Sequence, residues 1–263
     1  MEEEVRRIAS DILRGGKVAG VLGLRREHGQ VGPHLFTKAD ELGSLVLSPK
    51  HSLAKTVVML TPRKKRLGIV VRGCDERALI ELSKLNQVNL NDLEIIGITC
   101  SREQAEECGC AVPYPSRITV GEKVEGVEDP LKVKLLAMTL DERNGFWREQ
   151  LAKCQKCYGC RNACPICVCR TCEMEQMMWV PKGALPPEMP TFHLIKVFHL
   201  ADKCTGCGEC VAACPVDIPL KTLQLMLLDD MAALFDYDAG IDEGPSPFLT
   251  SLEECPIKEA QHD

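Results

Sequence analysis

Positive charge is in short supply: 32 Lys and Arg stand against 38 Asp and Glu, a net charge of -6. Nucleic-acid binders concentrate Lys and Arg on one face, so no nucleic-acid partner is expected. Long apolar runs are missing as well. The most apolar stretch, Leu220 to Phe235, is broken by Lys221 and by Asp229-Asp230. It falls short of the roughly 20 apolar residues that cross a bilayer and reads as a core or interface helix, with no membrane span. The opening Met1-Glu2-Glu3-Glu4-Val5 has neither the basic nor the apolar region of an export signal, and a cytoplasmic location is expected. No Ser-His-Asp set, carboxylate pair or phosphate loop stands out, so hydrolysis and phosphoryl transfer are unsupported and no catalytic residue is assigned. Cysteine is absent from the first 73 residues.

Elsewhere cysteine is abundant: the chain holds sixteen, and eleven of them lie between Cys154 and Cys214. Most fall in C-x2-C spacings, which chelate metal rather than staple distant loops. A compartment that keeps thiols reduced fits this use, since the thiolate is the ligand.

Periodicity divides the chain. Val5, Ile8, Ala9, Ile12 and Leu13 recur at helical spacing and predict a helix from Glu2 to Arg14, ended by Gly15-Gly16. A strand from Val18 to Leu24, a loop through Gly29, Gly32 and Pro33, and a helix around Pro49 to Leu60 come next. The apolar run Leu67 to Val71, a helix capped by Asp75 and running to Leu85, and an Ile-rich strand from Leu93 to Thr99 make a β-α-β crossover, which implies parallel strands. Ser101 to Val127 is rich in Gly, Pro and Cys and has no clean period. A helix from Leu131 to about Leu151 leads into the cysteine region, and Leu220 to Phe235 reads as a final helix. The expected fold is therefore α/β (α+β). An α/β domain with a parallel-type sheet fills 1–130, a two-cluster ferredoxin-like domain 131–240, and a tail 241–263.

Cys154-Gln155-Lys156-Cys157-Tyr158-Gly159-Cys160-Arg161-Asn162-Ala163-Cys164-Pro165 matches C-x2-C-x2-C-x3-C-P at every position, and Cys204 to Pro215 matches it again. Two intervening residues turn successive thiolates toward one iron-sulfur cube, while the fourth cysteine serves the other cube. The rule assigns Cys154, Cys157, Cys160 and Cys214 to one 4Fe-4S cluster and Cys204, Cys207, Cys210 and Cys164 to the other. Zinc sites use two cysteine pairs and do not account for a doubled four-cysteine run ending in Pro. Gly206 and Gly208 suit the tight turns.

Eight cysteines remain: Cys74, Cys100, Cys108, Cys110, Cys167, Cys169, Cys172 and Cys255. Cys108 and Cys110 together with Cys167, Cys169 and Cys172 are candidates for a third metal-sulfur site, the alternative being small buried apolar residues. Cys255 reads as structural or incidental. His193 and His199 flank the approach to Cys204 and read as packing residues, since thiolates already fill both ligand sets. Gly73, Cys74 and Asp75 follow a strand and open a helix, where α/β folds place ligands. The plainer reading is a tight turn with Asp75 as helix cap, and a carboxylate there repels a phosphate.

Three stretches carry a family resemblance: Val71-Arg72-Gly73-Cys74-Asp75-Glu76-Arg77-Ala78-Leu79, Ile96-Gly97-Ile98-Thr99-Cys100, and Cys157 to Cys169. With Val18-Ala19-Gly20-Val21, Phe198-His199-Leu200 and Asp217-Ile218-Pro219-Leu220, they resemble the beta subunits of coenzyme F-420-reducing hydrogenase and the related formate dehydrogenases. The nearer likeness is to iron-sulfur dicluster proteins associated with formate dehydrogenase, hydrogenase or heterodisulfide reductase. The resemblance implies an anaerobic electron-transfer subunit that relays electrons through two 4Fe-4S clusters between a catalytic subunit and another carrier. It also implies protein partners of both kinds. It carries an alternative, an FAD-containing subunit that exchanges hydride with a diffusible carrier and feeds its clusters, with Gly73, Cys74 and Asp75 near the flavin or near an extra cluster in its place. This chain has Arg-Gly-Cys-Asp where those hydrogenase and formate dehydrogenase subunits carry a Gly-x-Pro-Cys type loop.

Overall fold

The computed structural model describes residues 1–60, 66–176, 178, 180–181, 183–188, 190–242 and 244–249; Cys255 lies outside them. The chain forms two compact units that meet in sequence between Val127 and Glu128.

In the first unit, helix α1 (Glu2–Arg14) precedes strands β1 (Val18–Glu27), β2 (Gln30–Phe36) and β3 (Leu45–Val46). Helix α2 (Ala54–Met59), strand β4 (Arg66–Val71), helix α3 (Gly73–Lys84), strand β5 (Leu93–Gly97) and helix α4 (Arg102–Cys108) complete it. The sheet order is β2-β1-β4-β5, with β3 also paired to β1. β1, β4 and β5 run parallel, the β4–α3–β5 crossover placing Val71 beside Gly97, whereas β2 and β3 are antiparallel to β1. The expected parallel sheet is thus present in β1, β4 and β5, and β2 and β3 add antiparallel strands to it. The expected loop accounts for the difference: only His28 and Gly29 turn, and Gly32 and Pro33 continue as edge strand β2, where a missing N–H interrupts no inner ladder. The expected helix from Pro49 is likewise only Ala54–Met59.

Burial explains why these elements hold. β4 reads Leu67, Ile69, Val70 and Val71, all 5% exposed or less, as a strand covered on both faces must. Val5 and Ala9 of α1 are fully buried against Val21, Phe36, Leu45 and Ile98, with Ile8, Ile12 and Leu13 packed beside them. Each such aliphatic side chain contributes roughly 1.5–3 kcal/mol. Arg6 pins the same helix by donating to the Leu45 carbonyl at 2.7 Å, and Glu2 accepts from the Leu47 N–H at 2.9 Å.

The second unit contains α5 (Pro130–Leu136), α6 (Leu140–Ala152), α7 (Gly159–Asn162), α8 (Thr191–His199), α9 (Glu209–Ala212) and α10 (Leu220–Phe235). The helix expected from Leu131 to Leu151 is two. Thr139 starts a fresh capping box with Glu142, its hydroxyl accepting from the Glu142 N–H, and so ends continuity with α5. Leu151, Ile218 and Leu220 form a small core packed on Cys154, Cys160, Cys210 and Cys214. Sulfur atoms thus do part of the packing that hydrocarbon does in the first unit. Among the described residues, no helix is long and apolar enough to cross a membrane.

Candidate metal centres

The two copies of the cysteine motif fold alike. The third residue of each has a left-handed backbone, Lys156 at φ 54° and Gly206 at φ 63°, and so does the fifth, Tyr158 at 59° and Gly208 at 79°. These turns aim backbone N–H groups at sulfur. Lys156 N donates to Cys154 Sγ, Gly159 N to Cys157 Sγ and Ile218 N to Cys214 Sγ, each at 3.4 Å. Such amide bonds are the ones that set cluster potential.

The copies also interlock. Cys154, Cys157 and Cys160 line one cavity together with Cys214 of the second copy, beside Tyr158, Phe192 and His193. Cys204, Cys207 and Cys210 line another with Cys164 of the first, beside Lys196 and Gln224. Burial pushes the Cys204 thiol up to about 11 and Cys210 to about 12, and raises Cys154 and Cys160 as well. Cys164 goes the other way, held below the usual thiol range first by a hydrogen bond from Cys167 and then by Lys196 and backbone N–H groups against the opposing effect of burial. Four thiols facing one cavity suit an iron-sulfur group, which takes them as thiolates. Among the described residues, no three His, Cys, Asp or Glu side chains converge tightly enough for a single metal ion.

Helix α8 supplies two residues that spacing alone did not single out as electrostatic. Lys196 is 5% exposed, and its ammonium lies 4.0 Å from Cys167 Sγ. Burial alone would lower its pKa, but Cys164, Cys167, Cys160 and Cys210 more than offset this and hold it above the ordinary lysine value. One turn earlier, His193 is 3% exposed, and burial pulls its pKa down to about 4, so the ring is neutral. His199 ends the helix in an exposed position. A hydrophobic alternation in Thr191–His199 predicts a buried face, and the signal for Lys196 was that a lysine falls on it.

Of the remaining cysteines, Cys167 lies beside Cys164 and Lys196, Cys172 packs near Met174, Val180 and Phe192, and Cys169 is exposed. Cys108 and Cys110 belong to the first unit and lie near Cys100, which in turn faces Cys74. Cys100 closes the strand-end sequence Ile98-Thr99-Cys100, which was its only mark in the chain.

The Gly73-Cys74-Asp75 turn is filled by protein. A Cβ on Gly73 would stand 2.2 Å from the Tyr114 carbonyl oxygen, so only glycine admits segment 112–116 against the start of α3. Asp75, 1% exposed, accepts from the Arg72 N–H at 3.3 Å, from the Leu53 N–H at 3.1 Å and from the Ser52 hydroxyl at 2.8 Å. The helix start is thus capped by a carboxylate and covered by segment 112–116, and both features disfavour a phosphate at that point.

Comparison with known proteins agrees with the cysteine pattern. A family model described as a 4Fe-4S binding domain matches residues 198–219, the second motif. The chain is 35% identical to the F420-dependent formate dehydrogenase subunit beta of Methanocaldococcus jannaschii, over 88% of this chain and 90% of that protein. It is 30% identical to the F420-dependent formate dehydrogenase 1 subunit beta of Methanococcus maripaludis, over 56% of this chain and 38% of that one.

Proposed function

Because this chain belongs to the family of formate dehydrogenase beta subunits, we propose that it relays electrons through two 4Fe-4S clusters between a catalytic subunit of an anaerobic oxidoreductase and a second carrier. Each cluster supplies a one-electron couple. Cys154, Cys157, Cys160 and Cys214 would hold one, and Cys204, Cys207, Cys210 and Cys164 the other. The observation that carries this reading is the exchange of the fourth cysteine between the two cavities, which joins them through the chain segments bearing Cys164 and Cys214. Lys196, with Cys160 of one set and Cys164 and Cys210 of the other among its facing sulfurs, supplies positive charge to both.

Anaerobic preparation of Cys157→Ser and Cys207→Ser tests the ligand sets. Each variant is expected to lose about four of its iron atoms, in line with one cube of the doubled motif, and to stop electron flow to an artificial acceptor. Full iron content in both variants would remove the assignment.

A second reading has one observation in its favour, the words F420-dependent in the names of both relatives. A hydride carrier delivers two electrons together, and one-electron clusters need a flavin between them and it. FAD would then sit in the first unit at a place other than the start of α3. Flavin in an acid extract of the purified chain would support this reading, and a flavin-free extract from chain with full clusters would exclude it.

A further inference from the structure

Helix α8 serves both cavities of the second unit. Phe192, His193, Lys196 and Val197 make its buried face, because residues three and four apart fall on one side of a helix. His193 lines the cavity of Cys154, Cys157, Cys160 and Cys214, and Lys196, one turn later, lines that of Cys204, Cys207, Cys210 and Cys164. Lys196 brings a charge to its cavity. His193 was expected to be a packing residue, and packing accounts for its carbon atoms but not for its ring nitrogens.

His193 is 3% exposed, and its buried Nδ1 has no hydrogen-bond partner among the described residues. An orphaned buried polar atom costs about 1–3 kcal/mol, so a partner is to be sought inside the cavity. The ring is held in place there. Phe192 packs edge-on to it with centroids 5.1 Å apart, and Tyr158 packs edge-on to Phe192 in turn. Gln155 and Tyr158 are the other lining side chains, apart from the thiols, that can donate a hydrogen bond. Gln155 is exposed, and the Tyr158 hydroxyl donates to the Met174 carbonyl at 3.4 Å. His193 is thus the one buried side-chain N–H source facing this cavity among the described residues. Backbone N–H groups already reach Cys154, Cys157 and Cys214. Thiolates and sulfides accept hydrogen bonds and do not donate them, so a hydrogen on Nδ1 satisfies both sides.

We propose that His193 donates its Nδ1–H to a sulfur of the cluster held by Cys154, Cys157, Cys160 and Cys214, and thereby raises the potential of that cluster and not of the other. An N–H dipole aimed at sulfur stabilises the reduced state, which carries the extra negative charge. This role rests on the two-cluster reading. It makes α8 a shared tuning element, with a dipole at one cavity and the Lys196 charge at the next.

The test is an EPR-monitored redox titration of the anaerobically purified full chain as wild type, His193→Leu and His193→Asn. In His193→Leu the reduced-to-oxidised ratio of one cluster should fall about tenfold at a fixed potential, a midpoint lower by roughly 59 mV for one electron. The other cluster should keep its midpoint. His193→Asn, whose amide nitrogen can take the place of Nδ1, should recover most of the shift. Unchanged midpoints in His193→Leu at wild-type iron content, an equal shift of both clusters, or no recovery in His193→Asn overturns the proposal. The two-cluster reading stands or falls separately, on the iron content of Cys157→Ser and Cys207→Ser. Pulsed EPR of the reduced wild type with isotopically labelled histidine nitrogen covers the case in which His193→Leu assembles no cluster. A weak histidine coupling is expected there; no coupling, or one as large as a direct iron–nitrogen bond gives, overturns the proposal.

Discussion

Lys156 and Tyr158 occupy in the first motif the backbone conformation that Gly206 and Gly208 occupy in the second. An L residue there costs roughly 1–2 kcal/mol. Tyr158 is retained through packing, its ring edge-on to Phe192 at 5.7 Å between centroids. Gly206→Ala is thus expected to cost about 1–2 kcal/mol, because the new Cβ would meet only Leu225 Cδ2 at 3.4 Å and the strain is in the backbone. A melt of the cluster-loaded protein followed by visible absorbance checks this; an unchanged midpoint removes the strain argument. His193 gives a pH prediction. Its pKa of about 4 in the folded chain lies below the ordinary 6.5, so the unfolded chain binds the proton first. The native state therefore keeps its full stability above about pH 6.5 and loses it progressively toward pH 4, by roughly 2–3 kcal/mol. Urea titrations should show a shallower acid loss in His193→Leu than in the wild type.

At the scale of elements, α8 and the α5–α10 pair carry the consequences. The Lys196 charge on α8 favours the more negative, reduced state of a nearby cluster. Lys196→Met should lower at least one midpoint by about 1–3 kcal/mol, roughly 40–130 mV for one electron. EPR-monitored redox titration reads this directly, and unchanged midpoints would show that the charge is screened. Asp129 joins α5 to α10. It caps α5 through the Lys132 N–H at 2.9 Å, pairs with Lys221 at 3.5 Å, and accepts from the Thr222 hydroxyl, with Asp129 and Lys221 about nine-tenths buried. Asp129→Ala removes the helix cap and a carboxylate that faces Lys221 and Thr222, so a loss of about 1–3 kcal/mol is expected in chemical denaturation. A loss below about 1 kcal/mol would place the pair among surface bridges of little consequence.

For the whole molecule, the two units rest on different foundations. The first has a hydrocarbon core between sheet and helices, and the second packs its few buried aliphatics on cysteines. Iron chelation under reducing conditions is therefore expected to release amide protection across 154–237 while the strands at 18–36 and 66–97 stay protected. Hydrogen exchange by mass spectrometry separates this from a uniform loss, which would mean that both units depend on metal to fold.

The amino-acid sequence alone determined the class of chemistry, because C-x2-C-x2-C-x3-C-P is a local geometric instruction whose meaning survives without tertiary information. It likewise set the extents of α1 and α10, whose periodic apolar positions are long enough to average out exceptions. Strand direction at β2 was beyond it, since Gly32 and Pro33 read as a loop until the edge of a sheet makes them acceptable. So was the grouping of Cys74, Cys100, Cys108 and Cys110. These lie up to 36 residues apart with no periodic spacing, and only the β4–α3–β5 crossover and helix α4 bring them to one edge. The burial of Lys196 against cysteines of both motifs was decided in the same way, by packing rather than by order along the chain.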